Sequence, residues 1–404
     1  MYHKLDAREL RAGMYIADAG VSWLRHPLLY SKAGELAPQE LEELLREGYT
    51  EAYIDLARCR PGSLTPELEA LVPSVVSAEI PDDLPPPPRV EFKEELPKAR
   101  QVFQASLSTA KGMMDGIRRG RFDAPSVEPV VTNIIETLDR NANALFSLCK
   151  LRQTDDYTYT HCVNVSVMSV IFARGLKVAA GELHSIGLGG LFHDVGKALI
   201  PLAVLTAPRR LNEHEMEIMR RHPSLGYDYL NQQKSVSGTV SQIVLEHHEQ
   251  YCGEGYPNKL DGERISLPGR IAAIVDVFDA LSSKRVYKEP LPFSKALSIL
   301  YSMRGKEFFP GMVERFIRLL GIYPIGSAVE LENGCRAVVS EANMSVPLRP
   351  KVLLVRDREG KDLGKKPCNL AESDAPGITR GISPKELGAD PGTVLGLPAA
   401  NARA

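Results

Sequence analysis

Apolar residues recur every three to four positions through the middle of the chain, the spacing that places them on one face of an α-helix. Between residues 98 and 324 almost no stretch alternates in the manner of a β-strand. The pattern predicts helices over 127–151, 159–176, 182–198, 213–230, 239–249, 268–282 and 293–302. We therefore expect a mainly α protein built around a helical bundle.

The two flanking regions show shorter, alternating patterns. Near the start, residues 13–17 and 51–56 read as strands, and residues 37–45 between them have helical spacing. Near the end, strands are predicted over 328–331, 336–339 and 351–355. The sequence therefore predicts a small α+β domain before the bundle and a β-rich appendage after it.

Two further segments have the composition of connecting chain. Six prolines fall within residues 81–97, four of them in a row at 85–88, which is typical of an extended spacer rather than a core. The end of the chain is rich in Pro, Gly and Ala. The predicted order is an α+β domain over 1–60, a Pro-rich linker over 61–97, a helical domain over 98–324, a β-rich appendage over 325–369 and a loosely ordered tail over 370–404.

The overall charge excludes one class of binding partner. The 404 residues include 49 Lys plus Arg and 51 Asp plus Glu, for a formal net charge of -2. Proteins that bind bulk nucleic acid are usually much more basic, so we exclude bulk nucleic acid as a partner. A basic pocket for one small anion is still allowed.

No run approaches the roughly 18 apolar residues that a membrane helix needs, so we expect no membrane insertion. An apolar signal segment is absent and the six cysteines include no C-x-x-C pair, which predicts reduced thiols in the cytoplasm.

Histidines are concentrated in one part of the chain: seven of the nine lie between residues 161 and 248. A single helix histidine is most often a core or surface residue, but histidines on successive helices of a bundle can face one site. His193 and Asp194 offer an imidazole nitrogen and a carboxylate side by side, and a carboxylate can bridge two metal ions. Lys197 shares the predicted helix face of His193 and can reach a phosphate near the metal.

The later polar residues leave alternatives open. His247 and His248 are adjacent, so on a helix they point about 100° apart, and both reach one site only at a helix end or if they bind different metals. Asp276 lies in an apolar helix, where burying an unpaired carboxylate costs several kcal/mol. Metal ligation would relieve that cost. The alternative is a helix face that carries Asp276 and Asp279 to solvent.

The order of these motifs resembles the HD-GYP family, a branch of the HD metal-dependent phosphohydrolases, over residues 135 to 325. The blocks that carry the resemblance are residues 157–165, 193–197, 222–223, 247–249, 253–257 and 276–288. The triplet Gly255-Tyr256-Pro257, which gives the family its name, follows His248 in the family's register. The first sixty residues resemble the small domain of unknown function often found ahead of this family.

The resemblance implies an HD-type helical bundle that holds two divalent metal ions, Fe or Mn first, with Ni, Co or Zn as alternatives. The implied metal ligands are His161, His193, Asp194, His222, His247, His248 and Asp276. The implied substrate is cyclic di-GMP, which is opened to pGpG and in some members cut further to GMP. The implied catalytic residues are Asp194, which would bridge the ions, and Lys197. The residues that would contact substrate are Lys197, Tyr256, Arg285 and Lys288, and the loop 255–257 is an implied surface for protein partners.

Two positions depart from the family pattern. Cys252 stands where the family usually has an Asp. Tyr157 stands four residues before His161, where members with a third metal have a Glu, and a phenol with a pKa near ~10 is a poor ligand at neutral pH. Asp156, one residue earlier, is interpreted as an acidic N-cap. We therefore predict two metal ions rather than three.

The leading interpretation is a cyclic di-GMP phosphodiesterase. One alternative is a non-catalytic cyclic di-GMP sensor or interaction module with the same fold. Another is an HD phosphohydrolase that acts on a different nucleotide. The complete ligand set and Lys197 favour an enzyme over a sensor, and the Gly-Tyr-Pro block with Arg285 and Lys288 favours cyclic di-GMP over other nucleotides.

Overall fold

The structure is a computed structural model of the chain. The residues that it describes are 2–16, 29–30, 34–46, 48–55, 59–60, 62–66, 68, 88–121, 124–151, 157–232, 236–283, 291–343, 346 and 348–397. They form two compact units, one of Met1–Pro86 with Ser294–Met303 and one of Pro87–Phe293 with Arg304–Ala404. Most of the described chain is helical, so the predicted fold class is confirmed.

The N-terminal unit contains a five-stranded sheet. Its elements are β1 (Tyr2–Asp6), β2 (Tyr15–Ile16), β3 (Leu29–Tyr30), β4 (Gly34–Glu35), helix α1 (Pro38–Arg46) and β5 (Glu51–Asp55). Strand β5 pairs antiparallel with β1 and β2 and parallel with β3, while β2 also pairs with β4. Ile16, Leu44 and Ile54 are buried in one apolar cluster between helix and sheet. The helix and the two strands predicted here are confirmed.

The helices that follow account for most of the fold. In chain order they are α2 (Phe92–Arg118), α3 (Glu128–Leu151), α4 (Tyr157–Gly175), α5 (Ala180–Phe192), α6 (Leu202–Leu205), α7 (Glu213–Met219), α8 (His222–Asn231), α9 (Gly238–Glu246), α10 (Leu267–Ser282), α11 (Phe293–Ser302) and α12 (Met312–Leu320). Helices α2, α3, α4 and α5 share one apolar core, to which Phe103, Ile134, Val163 and Leu191 contribute. Burial of these apolar side chains is what joins the helices into a bundle.

Helix α3 is kinked where the incoming chain meets it. Asn141 has extended dihedral angles (φ -160°, ψ 100°) inside the helix. The side-chain amide of Asn141 donates to the Val90 carbonyl at 2.8 Å, and the amides of Arg89 and Val90 donate to the Arg140 carbonyl at 2.9 and 3.2 Å. The segment that leads into α2 thereby supplies donors to the Arg140 carbonyl at the kink.

Two predicted helices are interrupted, so their predicted extents are wrong. The helix predicted over 182–198 ends at Phe192, and a separate 3₁₀ turn covers Val195–Leu199. The helix predicted over 213–230 divides into α7 and α8, because Pro223 stands in the first turn of α8 and its nitrogen has no hydrogen to donate. As a result, Lys197 does not continue the helix that ends beside His193.

A second five-stranded sheet, antiparallel throughout, follows the helices. Its strands are β6 (Ala328–Leu331), β7 (Arg336–Glu341), β8 (Lys351–Arg356), β9 (Asp362–Asn369) and β10 (Ile378–Gly381), in the order β10-β6-β7-β8-β9. The three strands predicted in this region are confirmed.

Two short helices, α13 (Pro384–Leu387) and α14 (Pro391–Val394), pack on the second sheet. Buried Leu387 and Val394 join the same apolar cluster as Val338 and Val355 of the sheet. The described part of the segment expected to be a loose tail, 370–397, is therefore held by a strand and two capped helices.

The N-terminal side of the bundle also differs from expectation, since α2 begins at Phe92, inside the predicted linker. Residues 69–87 of that linker lie outside the described residues. Among the helices of the described chain, none combines the length and apolarity required to cross a membrane.

Candidate metal centre

Glycines on α5 allow unusually close helix packing at the centre of the bundle. A Cβ atom on Gly190 would lie 2.8 Å from the Cα atom of Ser166 on α4, which is inside van der Waals contact. Only a residue without a side chain permits this approach. The end of α5, with His193 and Asp194, is consequently brought against His161 of α4.

A second close approach fixes the turn that follows Asp194. A Cβ atom on Gly196 would overlap the backbone carbonyl of His222, and the amide nitrogen of Gly226 would be only 2.7 Å away. The 3₁₀ turn after Asp194 therefore rests directly on the first turn of α8. This contact gives a physical reason for the glycine in the His-Asp-x-Gly-Lys motif, because any larger residue would push His222 away from Asp194.

Three histidine rings are held by the backbone in the same manner. The Nδ1 atoms of His193, His222 and His247 lie 2.8, 2.8 and 2.9 Å from the carbonyl oxygens of Gly190, Met219 and Val244, each three residues earlier. A carbonyl oxygen can only accept, so each Nδ1 carries the hydrogen. The Nε2 atom of each neutral ring is left as an electron-pair donor, which is the arrangement found in metal-binding histidines.

The Nε2 atoms of these three histidines and of His161 face one another in two pairs. His161 and His193 approach at 3.2 Å, and so do His222 and His247. All four rings are buried. Burial and the neighbouring histidines hold the pKa of His247 well below its usual value, and burial lowers the pKa of His248 to about 3. Burial opposes the charge on His161, but Asp276 and Asp279 outweigh it and raise its pKa to about 9. The facing lone pairs of His222 and His247 Nε2 repel each other unless a cation lies between them.

Asp194 lies between the two pairs and turns one oxygen to each. Its Oδ2 atom is 3.3 Å from His193 Nε2 and 3.8 Å from His161 Nε2, and its Oδ1 atom is 3.3 Å from His222 Nε2 and 3.9 Å from His247 Nε2. Among the described residues, no hydrogen-bond donor reaches the buried Oδ1 atom. A buried carboxylate oxygen without a donor is costly, and a cation shared with the histidines would satisfy it.

Asp276 and His248 complete the cluster. Asp276 Oδ1 lies 3.0 Å from His161 Nε2, and its Oδ2 atom lies 4.0 Å from His248 Nδ1. Helix α9 ends at Glu246, so His247 and His248 follow the helix end, the first of the two alternatives raised by their adjacency. Asp276 and Asp279 are both buried, which makes the solvent-facing alternative wrong.

The structure thus brings together all seven residues that the resemblance implies as ligands. Groups in which the ligand atoms lie within 4.8 Å of one another include His161 with His193 and Asp276, His193 with Asp194 and His247, and His222 with His247 and His248.

Lys197 lies beside the carboxylate of Asp194 rather than apart from it. Its Nζ atom is 2.5 Å from Asp194 Oδ2, and a quarter of its side chain is exposed. Burial alone would raise the pKa of Asp194, but Lys197 and His193 outweigh it and hold that pKa well below its usual value. Burial likewise opposes the charge on Lys197, and Asp194 reverses the effect and raises its pKa. Both groups are therefore ionised, with the ammonium at the edge of the cluster.

The Gly-Tyr-Pro loop closes one side of the site. The ring of Tyr256 stacks on that of His248, with centroids 4.7 Å apart and an angle of 28° between planes. Glu249 holds the loop by accepting hydrogen bonds from the amides of Asn258 at 2.7 Å and Leu260 at 2.9 Å. The exposed Cys252 lies beside this loop and forms an isolated β-bridge with Asp261.

Sequence reasoning missed two residues behind His161. Asp279 receives the Nδ1 hydrogen of His161 at 2.7 Å, and Lys150 lies 2.8 Å from the other oxygen of Asp279. The one available signal was the spacing of Asp279, one turn of helix after Asp276. Nothing in the sequence marks Lys150, which occupies the last turn of α3 as a surface lysine commonly does.

Some predicted residues cannot be placed. Arg285 and Lys288, the implied substrate contacts, lie outside the described residues, as does Asp156. The backbone of Tyr157 begins α4, but its side chain is not among those described.

Comparison with known proteins assigns the regions of the chain to known domain families. An HD domain model matches residues 138–310, a domain of unknown function (DUF3391) matches residues 2–126, and a KOW domain associated with HD domains matches residues 328–390. Over 355 residues the chain is 33% identical to cyclic di-GMP phosphodiesterase PA4108 of Pseudomonas aeruginosa. The match covers 87% of this chain and 84% of that protein. This chain belongs to the HD-GYP family of metal-dependent phosphodiesterases.

Other relatives of the HD-GYP chain match over shorter lengths. It is 40% identical over 184 residues to the cyclic di-GMP phosphodiesterase response regulator RpfG of Xanthomonas campestris, covering 45% of this chain and 47% of that protein. It is 37% identical over 158 residues to 3′3′-cGAMP-specific phosphodiesterase 2 of Vibrio cholerae, covering 39% and 30%. The relatives thus carry names with two different cyclic dinucleotides.

Proposed function

We propose that this protein hydrolyses cyclic di-GMP at a centre of two divalent metal ions. The observation that carries the proposal is the position of Asp194, whose two oxygens face two separate pairs of histidine Nε2 atoms. A carboxylate so placed is suited to bridging two cations, which is the arrangement used to hydrolyse phosphate esters.

The residues divide into two sets around Asp194. One ion would be held by His161, His193, Asp276 and Asp194 Oδ2. The other would be held by His222, His247, His248 and Asp194 Oδ1. All ligands are nitrogen or oxygen and none is a thiolate, a donor set that suits Fe or Mn and is open to Co, Ni and Zn. The unpaired Oδ1 atom and the facing imidazoles of His222 and His247 support binding of cations by these residues.

Two ions held there would lower the pKa of a water molecule and neutralise charge on a phosphate group. In the reaction, water adds to phosphorus, the bond from phosphorus to the 3′ oxygen breaks, and that oxygen takes up a proton to give linear pGpG. Lys197 places an ammonium at the edge of the cluster, where it can neutralise a phosphate oxygen as charge develops. Burial and the carboxylates of Asp276 and Asp194 raise the pKa of Tyr256, so its hydroxyl keeps its proton and can donate to substrate.

Two relatives are named as cyclic di-GMP phosphodiesterases, one of them over most of the chain, and this supports cyclic di-GMP as the substrate. Arg285 and Lys288 are proposed to contact its phosphates and guanine. A second round of hydrolysis would convert pGpG to GMP.

The six cysteines are free thiols, which supports a cytoplasmic location.

The direct test is hydrolysis by the purified full chain loaded with Mn or Fe. Cyclic di-GMP is added and the products are separated by chromatography, with 3′3′-cGAMP in a parallel incubation. Formation of pGpG, with or without GMP, supports the proposal. Preferential cleavage of 3′3′-cGAMP would overturn the choice of substrate. Tight binding of cyclic di-GMP without cleavage by the metal-loaded protein would favour the sensor interpretation instead.

A protein partner for the Gly-Tyr-Pro loop stays a prediction. In the structure the Tyr256 ring is turned onto His248, and the carboxylate of Glu249 binds the loop from inside. The outer face of the loop, which includes the exposed side chains of Asn258 and Lys259, is the part that such a partner would meet.

A further inference from the structure

Lys150 is a completely buried cation. Its side chain has no exposed surface, and its Nζ atom lies 2.8 Å from Asp279 Oδ1 and 3.0 Å from Ser282 Oγ. The same ammonium lies 4.6 Å from the centre of the Phe278 ring. Burying an ammonium costs free energy unless a counter-ion and hydrogen-bond acceptors surround it, and all three of these partners are on α10.

Asp279 relays this contact to the metal centre. Its Oδ1 atom also accepts from Asn164 Nδ2 and Ser283 Oγ, both at 2.9 Å. Its Oδ2 atom is left to face His161 Nδ1 at 2.7 Å. Three donors on one oxygen fix the rotation of the carboxylate, so the other oxygen has one direction in which to point.

His161 is anchored differently from the other buried ligand histidines. His193, His222 and His247 each donate Nδ1 to a backbone carbonyl in their own chain segment. The Nδ1 atom of His161 meets a side-chain carboxylate from another helix instead. The orientation of His161 Nε2 towards His193 and Asp276 therefore depends on where Asp279 is held.

We propose that Lys150 and Asp279 are a positioning pair that orients His161 for metal binding. The inference rests on the proposed metal centre and adds to it a residue from α3, a helix that supplies none of the proposed ligands. Lys150 fixes Asp279, Asp279 fixes the ring of His161, and His161 presents Nε2 to the ion that it would share with His193 and Asp276. Partners of this kind, behind a ligand, typically change metal affinity by about 10- to 100-fold when they are removed.

The test is Mn²⁺ binding to the metal-free full chain, measured by titration calorimetry or equilibrium dialysis, with no substrate present. Lys150→Met is compared with Arg140→Met. Arg140 is also on α3 and is also paired with a completely buried carboxylate, that of Glu95 at 2.6 Å, but the pair does not touch the metal centre. Both substitutions remove a cation beside a buried charge, so both are expected to lower the melting temperature.

Lys150→Met is expected to weaken the binding of one of the two Mn²⁺ ions by about 10- to 100-fold, and Arg140→Met to leave both affinities unchanged. Lys150→Arg, which keeps the charge, should recover part of the affinity. In an Asp279→Asn background the loss of Lys150 should cause little further change, because the two residues act in series.

Unchanged Mn²⁺ affinity in Lys150→Met would overturn the proposal and leave Lys150 with a purely structural role. Additive losses in the double variant would overturn it as well, since Lys150 would then act independently of Asp279. If Lys150→Met does not fold, Asp279→Asn alone decides, because full Mn²⁺ affinity in that variant excludes the pair as positioning residues. Since no substrate is used, a failure of cyclic di-GMP hydrolysis would leave this result intact.

Discussion

The Nε2 atoms of His222 and His247 face each other at 3.2 Å, although each ring is tied by Nδ1 to its own backbone segment. Neither nitrogen has a hydrogen to give the other, so the contact has no favourable protein-only explanation. With Asp194 Oδ1 beside them, the three groups form an arrangement that a cation would stabilise.

Removal of the carboxylate between the histidine pairs should abolish metal binding at both places. In Asp194→Ala we expect metal content and hydrolysis of cyclic di-GMP to fall together while the helix signal in circular dichroism is retained. Metal is counted by elemental analysis of the purified protein. Asp139→Ala, which removes an exposed carboxylate paired with Arg174, is the control and should keep its metal. Full activity with full metal content in Asp194→Ala would exclude the bridging role.

The metal count should be two ions per chain. The position one helical turn before His161 is Tyr157, a poor ligand at neutral pH. Asp279 cannot supply a further site, because its oxygens are occupied by Lys150, Asn164, Ser283 and His161. Elemental analysis of the active protein, or anomalous scattering from a crystal, measures the number. Three fully occupied ions with Asp156 as a ligand would refute the prediction.

Substitution of Arg285 should affect substrate binding and not metal binding. If Arg285 holds a phosphate or guanine, Arg285→Ala loses a charged hydrogen bond worth about 1.5–3 kcal/mol, which corresponds to a rise in KM of roughly 10- to 150-fold. Arg264→Ala, at a largely exposed arginine paired with Asp261, is the matched control. An unchanged KM in Arg285→Ala would identify it as a solvated surface charge.

The Gly-Tyr-Pro loop should depend on Glu249. Its buried carboxylate accepts from the amides of Asn258 and Leu260, and Glu249→Gln replaces one acceptor with an amide donor that faces an N–H group. We expect faster proteolysis within the loop and a loss of stability of about 1–3 kcal/mol. Glu254→Gln changes an exposed residue of the same loop and should do neither. Equal protease resistance in both variants would show that the carboxylate does not hold the loop.

The turn after Asp194 should tolerate no side chain at position 196. A methyl group on Gly196 would overlap the His222 carbonyl, so Gly196→Ala must separate the turn from α8 and should cost more than the roughly 1–3 kcal/mol typical of overpacking. Gly181→Ala, in the first turn of α5 with open space around it, should be neutral or slightly stabilising. Thermal unfolding compares the two, and a melting temperature for Gly196→Ala equal to that of Gly181→Ala would contradict the close contact.

The parts of this molecule that could be predicted from sequence depend on local pattern. Helical spacing located the bundle, and the order of the motifs that carry the family resemblance located residues that the fold brings together, such as Asp194 and His222. Pro223 also indicates the break between α7 and α8, because it cannot continue a helix. The break was not predicted, because the apolar spacing continues on both sides of it.

The parts that could not be predicted depend on packing between distant segments. Lys150 and Asp279 are 129 residues apart, and only the packed helices bring them to 2.8 Å. A lysine in the last turn of a helix normally reaches solvent, and the amino-acid pattern of α3 does not distinguish this one. The order of segment 370–397 was missed for a related reason. Composition counts Pro and Gly without showing that Pro384 and Pro391 stand in the first turns of α13 and α14, which Ser383 and Asp390 cap.

The core shared by α2 and α3 bears on how such proteins are assembled from parts. The match to the domain of unknown function ends at residue 126 and the match to the HD domain begins at 138, inside α3. Phe103 and Met114 in the first match nevertheless pack in the same cluster as Leu145 and Val163 in the second. A fusion that replaced everything before residue 126 with another domain would therefore remove α2 from the core of the bundle. A domain exchange that preserves folding would have to be made ahead of α2. The boundary between the two family matches therefore differs from the boundary of the packed core.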